Sequence, residues 1–153
     1  RPAMTPIGYQ VTIDAADPHA QARFWAAALG YVVEDGDAFI RDLLAQGQVT
    51  DADVIEVDGR LAWHTGEAIR HPDDLDRGGL DDPAPRRLLF VRVPEPKDGK
   101  NRVHLDLNVG RDRLDAEVAR LVALGATERY RIDEPGSFHV TLTDPEGNEF
   151  CVQ

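Results

Sequence analysis

The C-terminal half of this chain repeats the plan of its N-terminal half, and this repeat limits the folds open to it. Residues 10–14 alternate in polarity and lead into a helical pattern that stops at Gly30. Residues 104–108 do the same, and the second helical pattern stops at Gly125. Further strand-like segments follow each helix. A duplicated unit of this kind predicts an α+β fold of two βαβββ modules, with one site enclosed between its halves.

Helix and strand signals occur in the same order in both halves. Asp17 and Pro18 are typical of an N-cap and a first helical turn, and Gly30 supplies a C-terminal stop. In the second half, Asp112 is the predicted N-cap and Gly125 the stop. The strand candidates are residues 8–14, 31–33, 88–93, 104–108, 129–132, 138–143 and 149–152.

The first half carries an insertion at about residues 34–86 that the second half lacks. Residues 38–46 predict a short extra helix, and residues 50–64 an irregular excursion that includes Trp63. Residues 71–85 are polar and turn-rich, which predicts a mobile surface loop. The insertion either shapes one mouth of the cleft or has no function.

Composition indicates one domain over residues 5–153, made of module 1 (5–96) and module 2 (97–153). The net charge of −11 disfavours binding to nucleic acid and to anionic membrane surfaces. No apolar run approaches the roughly 20 residues of a membrane span, and no export signal is visible. A single cysteine, Cys151, fits a cytoplasmic location.

Several segments of the sequence carry a family resemblance: residues 11–18 with 24–30, residues 93–97 with 100–106, the helix before Gly125, and residues 144–151. They resemble the vicinal-oxygen-chelate superfamily of glyoxalases, bleomycin-resistance proteins and dioxygenases, and most closely the glyoxalase-like domain common in actinobacteria. The resemblance implies that the two modules form a curved mixed sheet around a shared cleft. It also implies a small organic ligand in the cleft between the modules, and a homodimer is a possible assembly.

The resemblance also implies where metal ligands would lie, because each module of that superfamily contributes two from its first and last strands. Here those positions carry His104, Gln10, Cys151 and either Leu89 or Val91. Divalent metals in such sites need imidazole and carboxylate ligands. We therefore expect no tightly bound metal and no cofactor.

A shifted register would bring Glu149 onto the same face as Cys151. His104 and Glu149 are then weak candidates for metal ligands. His104 and Cys151 are also the candidates for catalysis, as a base and a nucleophile. The alternative is that Cys151 is a small core residue and His104 a hydrogen-bonded strand histidine.

The predicted ligand-binding residues combine these positions with two from elsewhere. Trp63 either stacks on a ligand or fixes the insertion to the core, and His139 either lines the cleft or is exposed. The full set is Gln10, Trp63, Val91, His104, His139, Glu149 and Cys151.

Three classes of function follow. The first is a protein that binds or sequesters a small organic molecule without a metal. The second is a metal-dependent lyase, isomerase or dioxygenase. The third is a module with a vestigial pocket and an oligomeric or regulatory role. The composition of the predicted pocket favours the first.

Overall fold

The computed structural model describes residues 1–77 and 83–153, which form two compact units, Arg1–Val93 (unit 1) and Pro94–Gln153 (unit 2). The helices of unit 1 are α1 (Pro18–Leu29) and α2 (Asp37–Ala45). Its strands are β1 (Val11–Ala15), β2 (Val32–Val33), β3 (Val54–Val57), β4 (Arg60–Trp63), β5 (Gly66–Arg70) and β6 (Arg87–Arg92). Unit 2 contains β7 (Asp106–Leu107), α3 (Leu114–Leu124), β8 (Thr127–Glu134), β9 (Ser137–Thr143) and β10 (Glu149–Val152).

The two units have the same sheet topology, which confirms the predicted α+β fold of two βαβββ modules. In unit 1 the four-stranded sheet has the order β1-β6-β5-β2, and in unit 2 the order is β7-β10-β9-β8. The first strand of each sheet pairs parallel with the last, and the other neighbours are antiparallel. Each sheet is therefore mixed, and each follows the same path through its unit.

Helix α1 begins and ends where the sequence predicts. The side chain of Asp17 accepts hydrogen bonds from the backbone N–H groups of His19 and Ala20, both at 3.1 Å. Pro18 occupies the first turn, and Gly30 ends the helix with φ 70°, a conformation that glycine adopts without a steric penalty. The helix packs on β5 and β6.

The predicted N-cap of α3 is wrong. Asp112 lies inside a 3₁₀ turn, Arg111–Arg113, and α3 begins at Leu114 with Arg113 at the N-cap position. The tighter turn moves the start of the helix beyond the aspartate, so no side chain caps it. Gly125 ends the helix as predicted.

Two predicted strands are shorter than the sequence indicates. Strand β1 begins at Val11, and β7 contains only Asp106 and Leu107. Gln10 and His104 therefore lie before their strands rather than in them. The ladders set these limits, because β1 first pairs with β6 at Val11 and β7 first pairs with β10 at Asp106.

The insertion is more regular than predicted. Residues 50–64 include a two-stranded hairpin, β3–β4, rather than an irregular excursion. Its turn is Asp58-Gly59, with φ 51° and 79°, the positive values that a tight two-residue hairpin turn requires. The expected extra helix is α2. In the predicted surface loop, Pro72–Asp74 form a 3₁₀ turn, while residues 78–82 lie outside the described part of the chain.

Each unit has its own apolar core on the helix side of its sheet. Unit 1 buries the aromatic pair Phe24 and Trp25 of α1 together with Ile69 and Phe90 of the sheet. Unit 2 buries Val118 and Leu121 of α3 with Val140, Leu142, Phe150 and Val152. In residues 1–77 and 83–153, no helix has the length and apolar character needed to cross a membrane.

Candidate functional site

A row of three polar side chains crosses the sheet of unit 2 on the face away from its core. Cys151 in β10 pairs with Asp106 in β7 and with Thr141 in β9, and paired residues share a face of the sheet. The Cys151 Sγ lies 3.3 Å from the Thr141 Oγ1. The buried apolar side chains alternate with this row and point to the opposite face.

His104 extends this row at the edge of the sheet. Its Nδ1 lies 3.3 Å from the Asp106 Oδ1. One donor atom each from His104, Asp106 and Cys151 lies within 4.8 Å of the others. His104 and Asp106 are exposed and Cys151 is half-buried, so the group is open to solvent.

Asp106 is a member of this group that was not among the predicted site residues. The signal for it was present in the sequence, because Asp106 follows His104 by two positions and alternate residues of an extended chain share a face. Asp106 was missed because the predicted residues came mainly from the superfamily's ligand positions, and Asp106 does not stand at one of them.

Glu149 lies on the same strand as Cys151 but has other partners. Its Oε2 accepts a hydrogen bond from the Asn101 backbone N–H at 2.9 Å, and its Oε1 is 3.4 Å from the Lys97 Nζ. The Asn101 N–H, helped by the Lys97 ammonium, holds the pKa of the Glu149 carboxyl below its usual range. The contacts of Glu149 join the segment before β7 to β10.

The corresponding row in unit 1 carries different chemistry. Thr12 pairs with Leu89, and Leu89 with Ala68, which matches the row of Asp106, Cys151 and Thr141 in unit 2. Leu89, rather than Val91, is thus the counterpart of Cys151. Val91 is half-buried in β6 and pairs with Asp14 and Gly66.

Gln10 belongs to a charged cluster in unit 1, in which Arg87 and Arg70 surround Glu34. The Gln10 Oε1 accepts a hydrogen bond from the Arg87 Nη1 at 2.7 Å. Both guanidinium groups also donate to the Glu34 carboxylate. Burial opposes the ionised form of Glu34, but the hydrogen bonds from Arg87 and Arg70 outweigh it and lower the pKa of this carboxyl.

The remaining predicted site residues lie in other surroundings. Trp63 ends β4, is half-buried, and its carbonyl oxygen lies 2.8 Å from the His19 Nε2. His139 pairs with Ile132 and lines a surface groove beside the start of α3. That groove also contains Arg111, whose guanidinium carbon lies 4.1 Å from the centre of the Phe138 ring.

The donor set of His104, Asp106 and Cys151 fits a divalent ion, although not equally well for all metals. Three protein ligands suffice for a catalytic zinc site. A thiolate beside an imidazole favours zinc, whereas manganese prefers carboxylate, carbonyl and water ligands. In unit 1, the matching row of Thr12, Leu89 and Ala68 offers no imidazole, thiol or carboxylate.

The fold and this site define a class of protein. Two βαβββ units, each with a mixed sheet, are the architecture of the glyoxalase and bleomycin-resistance superfamily. The family model described as "Glyoxalase-like domain" matches residues 10–153, and the chain belongs to this family. None of the curated proteins matches the chain.

Solved structures of the same superfamily resemble this chain in fold at low sequence identity. The fosfomycin resistance protein FosX from Mesorhizobium loti is 11% identical with a TM-score of 0.61, and the match covers 98% of this chain and 92% of that one. A glyoxalase/bleomycin resistance protein/dioxygenase family enzyme from Burkholderia phytofirmans is 15% identical with a TM-score of 0.56, and the match covers 94% of each chain.

A third similar structure contains a metal. It is a point mutant of FosX from Listeria monocytogenes in complex with Mn(II) and 1S,2S-dihydroxypropylphosphonic acid. Its identity to this chain is 8%, its TM-score is 0.58, and the match covers 99% of this chain and 90% of that one. At such identities the likeness concerns the fold.

Proposed function

We propose that this protein binds a small organic molecule on the polar row of unit 2, without a tightly bound metal. The observation that carries the proposal is the convergence of Cys151, Thr141, Asp106 and His104 on one face, beside the sheet edge. A thiol, a hydroxyl, a carboxylate and an imidazole provide both donors and acceptors for an uncharged or weakly charged ligand.

The contacts of these groups support binding without a metal. The Cys151 sulfur is in hydrogen-bond contact with the Thr141 hydroxyl, and the His104 imidazole with the Asp106 carboxylate. A metal ion would have to replace both contacts, and its ligands would be exposed to solvent. Glu149, the other carboxylate considered as a ligand, has the Asn101 N–H and Lys97 as partners.

A thermal-shift screen of small organic molecules tests the proposal. A ligand at about 100 times its Kd stabilises the native state by about 2.7 kcal/mol, which raises the Tm of a chain of this length by several degrees. We expect hits to lose most of this shift in His104→Ala and Cys151→Ser. His64→Ala is the matched control, because His64 is an exposed histidine of unit 1.

The proposal fails if hits stabilise the wild type, both site variants and the control to the same extent. In that case the molecules bind elsewhere on the protein.

A metal-dependent lyase, isomerase or dioxygenase is the second candidate, and one observation favours it. His104, Asp106 and Cys151 bring three donor atoms within 4.8 Å of one another. These residues would hold the ion, and a bound divalent ion would polarise an oxygen of the substrate. The protein would orient that oxygen through the Thr141 hydroxyl, which lies beside the thiol.

Elemental analysis separates the two candidates. The protein is dialysed against zinc, then against metal-free buffer, and its metal content is measured. The first candidate predicts well under one equivalent. A full equivalent that is lost in Asp106→Ala and kept in Asp133→Ala, an exposed control, would establish the second candidate.

A further inference from the structure

Three elements of unit 1 meet at the buried ring of His19, in the first turn of α1. The His19 side chain is 5% exposed. Its Nε2 lies 2.8 Å from the Trp63 carbonyl oxygen at the end of the β3–β4 hairpin. Its Nδ1 lies 3.4 Å from the Glu67 Oε2 on β5. One imidazole therefore connects the helix, the inserted hairpin and the sheet.

The chemistry of these partners fixes where the ring carries hydrogen. A backbone carbonyl oxygen only accepts, so the His19 Nε2 must be the protonated nitrogen. The neutral ring then presents a lone pair from Nδ1 to the Glu67 carboxylate. The Nδ1 is buried and makes no hydrogen bond in this geometry. Without a further proton, two acceptors face each other in a buried place, which is unfavourable.

The surroundings of Glu67 favour retention of that proton. Burial raises the pKa of the Glu67 carboxyl, against the opposing effect of the Ala68 backbone N–H and of His19. Glu34 raises this pKa further and Arg60 lowers it. The Glu67 Oε1 accepts from the Ala68 N–H at 3.0 Å, which leaves Oε2 for His19.

A small pocket gives this pair access to solvent. It lies between the hairpin, the first turns of α1 and the segment after β2. The charged and titratable side chains that line it are His19 and Arg23 from α1, Glu34 and Asp35 after β2, Asp58 and Arg60 from the hairpin, and Glu67 from β5.

We propose that one proton shared between the His19 Nδ1 and the Glu67 Oε2 holds the β3–β4 hairpin against α1. When this proton is lost to solvent through the pocket, the Nδ1 lone pair and the Glu67 carboxylate repel each other. The imidazole then shifts, and its Nε2 contact with the Trp63 carbonyl oxygen at the end of the hairpin loosens. The contact makes the position of the insertion depend on pH, and all the residues that form it belong to unit 1.

The other contacts of β4 do not depend on pH in the same way. The backbone N–H of Leu61 donates to the Asp37 Oδ1 at 2.7 Å. Hydrogen bonds from Arg41 and from the Leu61 N–H lower the pKa of Asp37, so this carboxylate stays ionised at neutral pH. The Arg60–Asp35 ion pair is exposed on both sides. The Glu67 carboxyl, whose pKa is raised by burial, is therefore the group at this contact that gains charge as conditions become less acidic.

Hydrogen exchange of residues 54–63, measured by mass spectrometry between about pH 5 and pH 8, tests the proposal. Rates are corrected for the intrinsic effect of pH to give the opening equilibrium of the hairpin. In the wild type we expect opening to increase with pH. In Glu67→Gln it should stay constant, because the amide N–H₂ donates to Nδ1 at every pH.

Glu56→Gln is the matched control, since Glu56 is an exposed carboxylate of the same hairpin. Opening of the hairpin in Glu56→Gln should depend on pH as it does in the wild type. The proposal is overturned if opening in the wild type does not depend on pH, or if Glu67→Gln shows the same dependence as the wild type.

A second measurement needs no variant. The ¹⁵N resonances of the His19 ring should show a protonated Nε2 throughout, and an Nδ1 signal that changes over the pH range in which the hairpin opens. An unprotonated Nε2, or an Nδ1 signal that changes over a pH range different from that of hairpin opening, would overturn the proposal. This test holds even if Glu67→Gln fails to fold.

Discussion

Two glutamates of unit 1 show how the surroundings of a carboxyl group decide its charge. Glu34 accepts hydrogen bonds from Arg70 and Arg87, which lower its pKa. Glu67 is half-buried beside a histidine, and its pKa is raised by burial. The partners of Glu34 are 36 and 53 residues away along the chain, so the sequence alone gives no indication of this difference.

The charge on Glu34 should contribute to stability in a pH-dependent way. Its pKa is lowered in the folded state, so its contribution is present above the pKa of the unfolded chain and is lost as pH falls through the folded pKa. We expect Glu34→Gln to lower the free energy of unfolding by about 2 kcal/mol at neutral pH, because two guanidinium groups lose their shared acceptor.

Urea denaturation across the acidic range measures this effect. The difference between wild type and Glu34→Gln should shrink as the pH falls, whereas Glu95→Gln, at an exposed position, should match the wild type throughout. A difference that is the same at neutral and strongly acidic pH would contradict the assignment.

Asp144 is a second residue whose contacts predict a measurable loss. It is 3% exposed, and its carboxylate accepts from the backbone N–H groups of Glu146 and Asn148 and from the Asn148 side chain. These bonds hold the turn between β9 and β10. Asp144→Ala should cost about 2 to 3 kcal/mol in thermal or chemical unfolding.

The exposed Asp133, which pairs with Arg111, provides the comparison. Asp133→Ala should change stability by no more than about 0.5 kcal/mol. Equal losses at the two positions would show that the turn does not depend on Asp144.

At the scale of elements, the sequence predicted the ends of helix α1 well, because local residues set them. It predicted the ends of the strands poorly, because strand pairing sets them. Asp17, Pro18 and Gly30 predicted α1 because caps and stops depend on a few neighbouring residues. The start of β7 depends on where its pairing with β10 begins, which is a long-range property. The Asp58-Gly59 turn is a local hairpin signal, and the prediction of an irregular excursion overlooked it.

The close approach of β5 and β6 predicts the effect of one substitution. A Cβ added at Gly66 would lie 2.8 Å from the Phe90 carbonyl oxygen, a backbone atom that cannot move without disturbing the ladder. Gly66→Ala should therefore lower the free energy of unfolding by roughly 1 to 3 kcal/mol, seen as a lower Tm.

Gly8→Ala is the matched control, because a Cβ there meets nothing within 4 Å. It should leave the Tm close to that of the wild type. If Gly66→Ala is as stable as Gly8→Ala, the two strands are further apart than described.

At the scale of the whole chain, the repeat predicted the topology of both units, but only some of the residues of the site. Equivalent strands follow the same order, so matched positions can be read from the sequence, and Cys151 and His104 were found in this way. Asp106 and Thr141 complete the row because strand pairing brings them beside Cys151. The divergence of the rows in unit 1 and unit 2 indicates that duplication preserved the fold while the side chains changed.

The polar row of unit 2 is the proposed ligand site of this glyoxalase-like protein. The most direct measurement is a ¹H–¹⁵N chemical-shift titration of the assigned protein with a hit from the thermal-shift screen. We predict that the largest saturable shifts occur at the backbone amides of Asp106, Thr141 and Cys151, and that Cys151→Ser weakens binding. Saturable shifts centred elsewhere, with these three amides unchanged, would contradict the claim.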